Sequence, residues 1–164
     1  MAADDLLGQF PHLGPRPDGV RRAHAPPLVA HGRFQIISKP LARLSGLPKS
    51  GDEVNTEVRV TVEDGVQVWK RTFGAQSVET RQWVEDGLLI EAKGVGRIGM
   101  TLEVRDGVLY YKAVKGWIGR FRTPWYPRVE AEVAEVEGGW SVAVKVFCPP
   151  FGTICRYSGI LIPV

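Results

Sequence analysis

The segment KGVGRIGMTLEVRDG, Lys93 to Gly107, decides how the rest of the chain is read. Gly94, Gly96 and Gly99 stand in the spacing G-x-G-x-x-G. In a dinucleotide-binding unit such glycines follow a strand and open a helix whose N-terminus takes the pyrophosphate, and an acid about 20 residues later takes the ribose hydroxyl. Here they run into MTLEV, where apolar and polar residues alternate, and the run ends in Arg105-Asp106-Gly107. Alternation with a period of two is a strand, and Asp-Gly is a tight hairpin turn. Lys115 to Arg122 contain no acid. The glycines are therefore expected to be loop formers in β structure, and a Rossmann site is excluded.

The same grammar extends in both directions. In EVNTEVRVTVE (53–63), Val54, Thr56, Val58, Val60 and Val62 fall on one face and Asn55, Glu57, Arg59, Thr61 and Glu63 on the other. Such a run is a half-buried strand. Similar runs lie at 66–73, 77–84, 88–93, 98–105, 108–114, 128–136, 140–147 and 153–162, with HGRFQIIS (31–38) as a further candidate. Tight reversals at EDG (63–65), EDG (85–87), RDG (105–107) and EGG (137–139) alternate with GAQ (74–76), GVGR (94–97), KGWIGRFRTPWYP (115–127) and CPPFG (148–152). Each antiparallel reversal swaps ends, so one end should carry the tight turns and the other the longer, richer loops. The expected fold is mainly β: an up-and-down antiparallel barrel, or a strongly curved sheet, of 8–10 strands.

Residues 1–30 read differently. They hold five of the twelve prolines and are expected to form an N-terminal arm packing on a single antiparallel domain over 31–164. One short helix is expected near 40–47, with Pro40 in its first turn and Gly46 as its stop. At 164 residues, 44% of them hydrophobic and 24% charged, the chain suits one core and not a disordered or collagen-like class. A net charge of +3, spread along the chain, gives no argument for nucleic acid. The longest apolar run is too short to span a bilayer, and Asp4 and Asp5 stand where a signal peptide would be positive, so a cytoplasmic protein is expected. Cys148 and Cys155 could bridge across a loop, but free thiols are favoured in that compartment.

Four pieces, VWKRTFG (68–74), LLIEAKGVGRIG (88–99), PWYPRVEAEV (124–133) and GTICRYSGIL (152–161), resemble a bacterial family known only as a domain of unknown function. The resemblance covers about residues 5–162. Members of that family occur alone or C-terminal to reductase domains of the saccharopine dehydrogenase type. The resemblance implies no activity, cofactor or site residue for this chain.

Candidate sites rest on the residues alone. His12, His24 and His31 show no metal-ligand spacing, and no G-x-S-x-G elbow occurs, so no metal, cofactor or catalytic residue is assigned. The richest constellation is KGWIGRFRTPWYPR (115–128), where Trp117, Phe121, Trp125 and Tyr126 interleave with Lys115, Arg120, Arg122 and Arg128. Rings can cover apolar surface while guanidinium groups take a carboxylate or phosphate, which would suit the mouth of a barrel; the other readings of the loop are a lid that plugs a filled barrel and points its arginines at water, and a surface for a partner. Trp69, Arg71 and Phe73 share a face of one strand, and Arg81 and Trp83 share a face of the next. If those faces point inward, the arginines need carboxylates such as Glu91. If they point outward, they are ordinary cross-strand pairs. Of Arg156 and Tyr157, only one can face inward.

The function expected from these features is binding of a hydrophobic or amphipathic anionic small molecule, lipid-like in character, at the loop-rich end. The ligand residues would be Trp69, Arg71, Trp117, Arg120, Phe121, Arg122, Trp125, Tyr126 and Arg128. A non-catalytic module that docks a protein partner through the 115–127 loop is the alternative, and an enzyme acting on an apolar substrate comes third.

Overall fold

Hairpin turns organise this molecule, and their backbone angles show why. In a computed structural model that describes residues 23–24, 28–36, 51–149 and 152–163, with side chains over 56–149 and 152–162, Asp64, Asp86 and Asp106 have φ of 51°, 52° and 50°. Gly65, Gly87 and Gly107 follow at 77°, 71° and 78°. Two consecutive left-handed residues make a type I′ turn, whose twist matches that of the strands it joins. Asp tolerates this conformation and Gly adopts it without cost.

These turns and their counterparts join β1 (Ala23–His24), β2 (Leu28–Ile36), β3 (Gly51–Glu63), β4 (Val66–Phe73), β5 (Gln76–Glu85), β6 (Leu88–Lys93), β7 (Gly96–Arg105), β8 (Val108–Ile118), β9 (Phe121–Arg122), β10 (Arg128–Val136), β11 (Gly139–Cys148) and β12 (Gly152–Pro163). Every pairing is antiparallel. The sheet runs β3-β2-β12-β11-β10-β8-β7-β6-β5-β4, and β4 pairs in turn with β3. The hydrogen-bonded path over these ten strands thus returns to its start, which is how the sheet curls into a barrel without leaving long edges open. β1 continues the β2 side of β3, and β9 folds back on β8.

The strands expected at 66–73, 88–93 and 128–136 coincide with β4, β6 and β10. The helix near 40–47 and most of the 1–30 arm lie outside the described residues. Within that arm, Ala23–His24 pairs with β3, and Leu28–Ala30 already belongs to β2. The two ends differ less than expected. Gly74-Ala75 and Gly94-Val95 are two-residue turns, as tight as the Asp-Gly turns, with Gly at positive φ in the first position. The expected loop 115–127 is also shorter. A bulge at Gly99/Met100 lets Lys115–Ile118 continue pairing along β7, leaving only 123–127 irregular.

Register divides the residues between two walls. Exposed Arg59, Lys70, Glu79, Arg81, Lys112 and Glu132 lie on the outer one. A charged outer wall is the reverse of the apolar band that a membrane-spanning barrel presents to lipid. Among the described residues, no helix is long and apolar enough to cross a membrane. On the inner wall, buried apolar side chains form two separate clusters. One contains Phe73, Val78 and Cys155, the other Leu89, Met100 and Ala113.

Candidate functional site

Between these clusters the inner wall turns polar. Trp69, Arg71 and Phe73 of β4 stand opposite Thr80, Val78 and Gln76 of β5, and opposite Val60, Val58 and Thr56 of β3. All of these lie on the inner wall. Gln82, also inward, pairs with Glu91 of β6. The result is a connected group: Arg71 Nη1 donates to Thr80 Oγ1 at 2.9 Å and to Glu91 Oε1 at 3.1 Å. Thr80 and Gln82 bond the same carboxylate. The Arg71 guanidinium lies 5.2 Å from the centre of the Trp69 ring, whose Nε1 donates to Gln67 Oε1 at 2.9 Å.

Burial opposes both charges, yet the pair outweighs it. Desolvation would lower the Arg71 pKa, but the Glu91 carboxylate holds it above its ordinary value. Desolvation would likewise raise the Glu91 pKa, but Arg71 and the bonds from Thr80 and Gln82 hold it below the usual carboxylate range. Tyr111 and Tyr157 are coupled electrostatically to the pair, and burial pushes each phenol up to about 12. The centre is therefore two protonated phenols around one ionised pair, with no net charge. The Arg71 and Glu91 side chains still keep 19% and 17% of their surface accessible.

The 115–128 segment divides. Tyr126 folds back over the barrel end, against Gly116, and joins the cluster of Leu89, Met100 and Ala113. A Cβ at Gly116 would collide with the Tyr126 ring. Thr123 N donates to Gly116 O at 2.9 Å, and Trp125 N to Thr123 Oγ1 at 3.1 Å, which hold the segment down. Trp117 lies on the outer wall, its ring over Gly99, where a Cβ would approach Trp117 and Leu88 to 3.1–3.2 Å. Arg97 stacks on that ring at 4.9 Å and reaches Glu85 at 3.9 Å. Ile90, opposite Gly99 and Trp83, is consequently only 2% exposed although it faces outward. Phe121 and Trp125 stand in solvent, 68% and 61% exposed, and Arg120, Arg122 and Arg128 are exposed beside them.

Of the residues singled out in the sequence, the structure thus brings Trp69 and Arg71 together inside and Arg120, Phe121, Arg122, Trp125, Tyr126 and Arg128 to one barrel end, while Trp117 and Lys115 lie on the outer wall. It separates Arg81 and Trp83 from the Arg71 face: both lie outside, Trp83 donating to Glu85 at 2.9 Å. The reason is the two-residue turn at 74–75, which pairs the odd positions of β4 with the even positions of β5. Gly94 forms a turn, but Gly96 and Gly99 sit within β7, where Gly99 makes room for Trp117. Tyr157 faces inward and Arg156 outward. Thr80, Gln82 and Tyr111 were missed, since nothing local distinguishes a polar residue aimed into a barrel from one aimed at water. Cys148 and Cys155 are free thiols, and burial pushes that of Cys155 up to about 11.

Residues 20–161 match the model of a family described as a domain of unknown function, DUF4166, and the chain belongs to that family. No curated protein and no solved structure matches the chain.

Proposed function

We propose that this DUF4166 barrel binds a hydrophobic or amphipathic small molecule, with the apolar body in the interior and an anionic head at the end that carries 115–128. One observation carries the reading: a charged, hydrogen-bonded pair on the inner wall whose side chains keep 19% and 17% of their surface accessible. Barrels of eight or more strands have room for one small ligand. Arg71 and Glu91 cancel in charge, so the inner centre suits a hydroxyl or carbonyl and repels a carboxylate little and attracts it little. Trp69 would flank the apolar body. At the barrel end, Arg120, Arg122 and Arg128, exposed and without an ion pair among the described residues, would take the anionic head, with Tyr126 as the side chain to be passed.

cis-Parinaric acid, a fluorescent fatty acid, tests this in solution. Saturable one-to-one uptake is expected, and Arg71→Met should weaken it. Replacing Arg120, Arg122 and Arg128 with serine should weaken the acid about tenfold and leave the methyl ester unchanged, because only the acid carries the charge. Absence of saturable uptake, with no small molecule retained in native mass spectra of protein purified from cells, would end the proposal.

A further inference from the structure

The exposed face of this barrel end has a composition of its own. Val95, Ile118, Phe121 and Trp125 are 75%, 56%, 68% and 61% exposed. They form one patch: Gly119 N donates to Val95 O at 2.7 Å, tying the two turns together, and Ile118 pairs with Phe121 across the second turn. Trp125 is fixed to the same strand through Thr123 and Gly116. This is the turn of a two-residue hairpin and its continuation, held at the strand ends rather than tucked along the barrel wall. Large apolar side chains held in water at a loop tip need a partner to justify their position.

The charge around the patch says which partner. Arg120, Arg122 and Arg128 surround it, all exposed; Arg120 stacks on Phe121 at 5.0 Å, and none of the three makes an ion pair among the described residues. No aspartate or glutamate occurs from Ala92 to Leu102 or from Gly107 to Val129. Elsewhere on the outer wall cations and acids are interspersed, as in Lys145 with Glu130. Aromatic and aliphatic tips whose own turns carry cations and no acid match a bilayer interface: the rings enter the headgroup layer while the guanidinium groups meet anionic phosphates. We infer that the 94–95 and 119–128 tips dock the barrel reversibly on an anionic membrane surface. The inference goes beyond ligand binding in the interior and stands if that reading fails.

Co-sedimentation with vesicles of phosphatidylcholine, alone or with about 30% phosphatidylglycerol, tests it on the full chain. Binding to the anionic vesicles is expected, with little to the neutral ones, and should fall severalfold as salt rises from about 0.05 to about 0.3 M. Phe121→Ser with Trp125→Ser should reduce binding at least about tenfold. Each of Arg120→Gln, Arg122→Gln and Arg128→Gln should reduce it about fivefold, the factor equivalent to about 1 kcal/mol per cation near an anionic surface. These side chains are exposed, so circular dichroism and melting should stay at the wild-type values. Equal binding to both vesicle types, no binding to either, or indifference to the double variant would overturn the inference. So would a stoichiometric complex with an acidic protein that needs these residues while vesicles are ignored. Uptake of cis-parinaric acid is measured on the Phe121/Trp125 variant as well. Lost vesicle binding with retained uptake supports docking, and vesicle binding without uptake in the wild type sinks only the interior reading.

Discussion

Replacing Glu91 with glutamine tests whether the inner pair holds the barrel together as its geometry says. Glutamine keeps the shape and the bonds from Thr80 and Gln82 but removes the charge, leaving the Arg71 guanidinium desolvated with only neutral acceptors. Breaking a fully buried pair by removing one partner costs about 3–5 kcal/mol. With 19% and 17% of the two side chains accessible, some water can reach the orphaned cation, so the lower end, about 3 kcal/mol, is expected. For a domain of this size, that corresponds to a melting temperature lower by about 6–12 °C. Arg71→Met with Glu91→Gln removes the stranded charge, and the double variant should recover about 2 kcal/mol of the loss. pH gives an independent reading. Because Glu91 is held below its unfolded value of 4.5, its contribution is complete above that pH and disappears as the pH falls through the folded pKa. The acid limb of the stability curve should therefore be shallower in Glu91→Gln than in wild type. Urea unfolding at pH 7 and in the acid range supplies both measurements. A single-variant loss below about 0.5 kcal/mol, or costs that simply add in the double variant, would refute the claim that these side chains act as one desolvated pair.

Other outcomes follow from the same structure. Spectrophotometric titration near 295 nm should show two phenols ionising at about 12, one component vanishing in Tyr111→Phe and the other in Tyr157→Phe. Since both folded values lie above the unfolded value of 10.0, stability from these groups is complete below pH 10 and is lost as pH rises toward 12. Gly116→Ala should drive Tyr126 off the barrel end and cost about 1–3 kcal/mol, the range for overpacking, measured by urea unfolding; an unchanged midpoint would mean that Tyr126 is not seated there.

How much of this was legible beforehand depends on the range over which each feature is specified. Asp-Gly and Gly-x pairs carry their own backbone preference, and alternation carries its own period, so the strands over 66–73, 88–93 and 128–136 could be read from a few residues at a time. Even the antiparallel order followed from short connections. Alternation defines two faces but names neither as inner, and in β4 and β5 both faces hold residues that would suit either side. The length of the 74–75 turn was the one local signal that Arg71 and Arg81 must part company, because two residues between strands set odd positions against even ones.

Closure of the ring, by contrast, belongs to tertiary structure. β12 meets β2 across most of the chain, Cys155 opposite Ile36, and no local preference specifies a contact between strands so far apart in sequence. The polar centre is decided the same way: Arg71 and Glu91 lie on strands separated by β5, and only the shared inner wall brings them within 3.1 Å. The opening glycines divide along this line. Gly94 is a turn that its own flexibility dictates, whereas Gly99 is needed for Trp117, which arrives from the neighbouring strand. Turns and periodicity are properties of adjacent residues and survive in the sequence, while faces, closure and charge pairing depend on what the rest of the chain brings alongside.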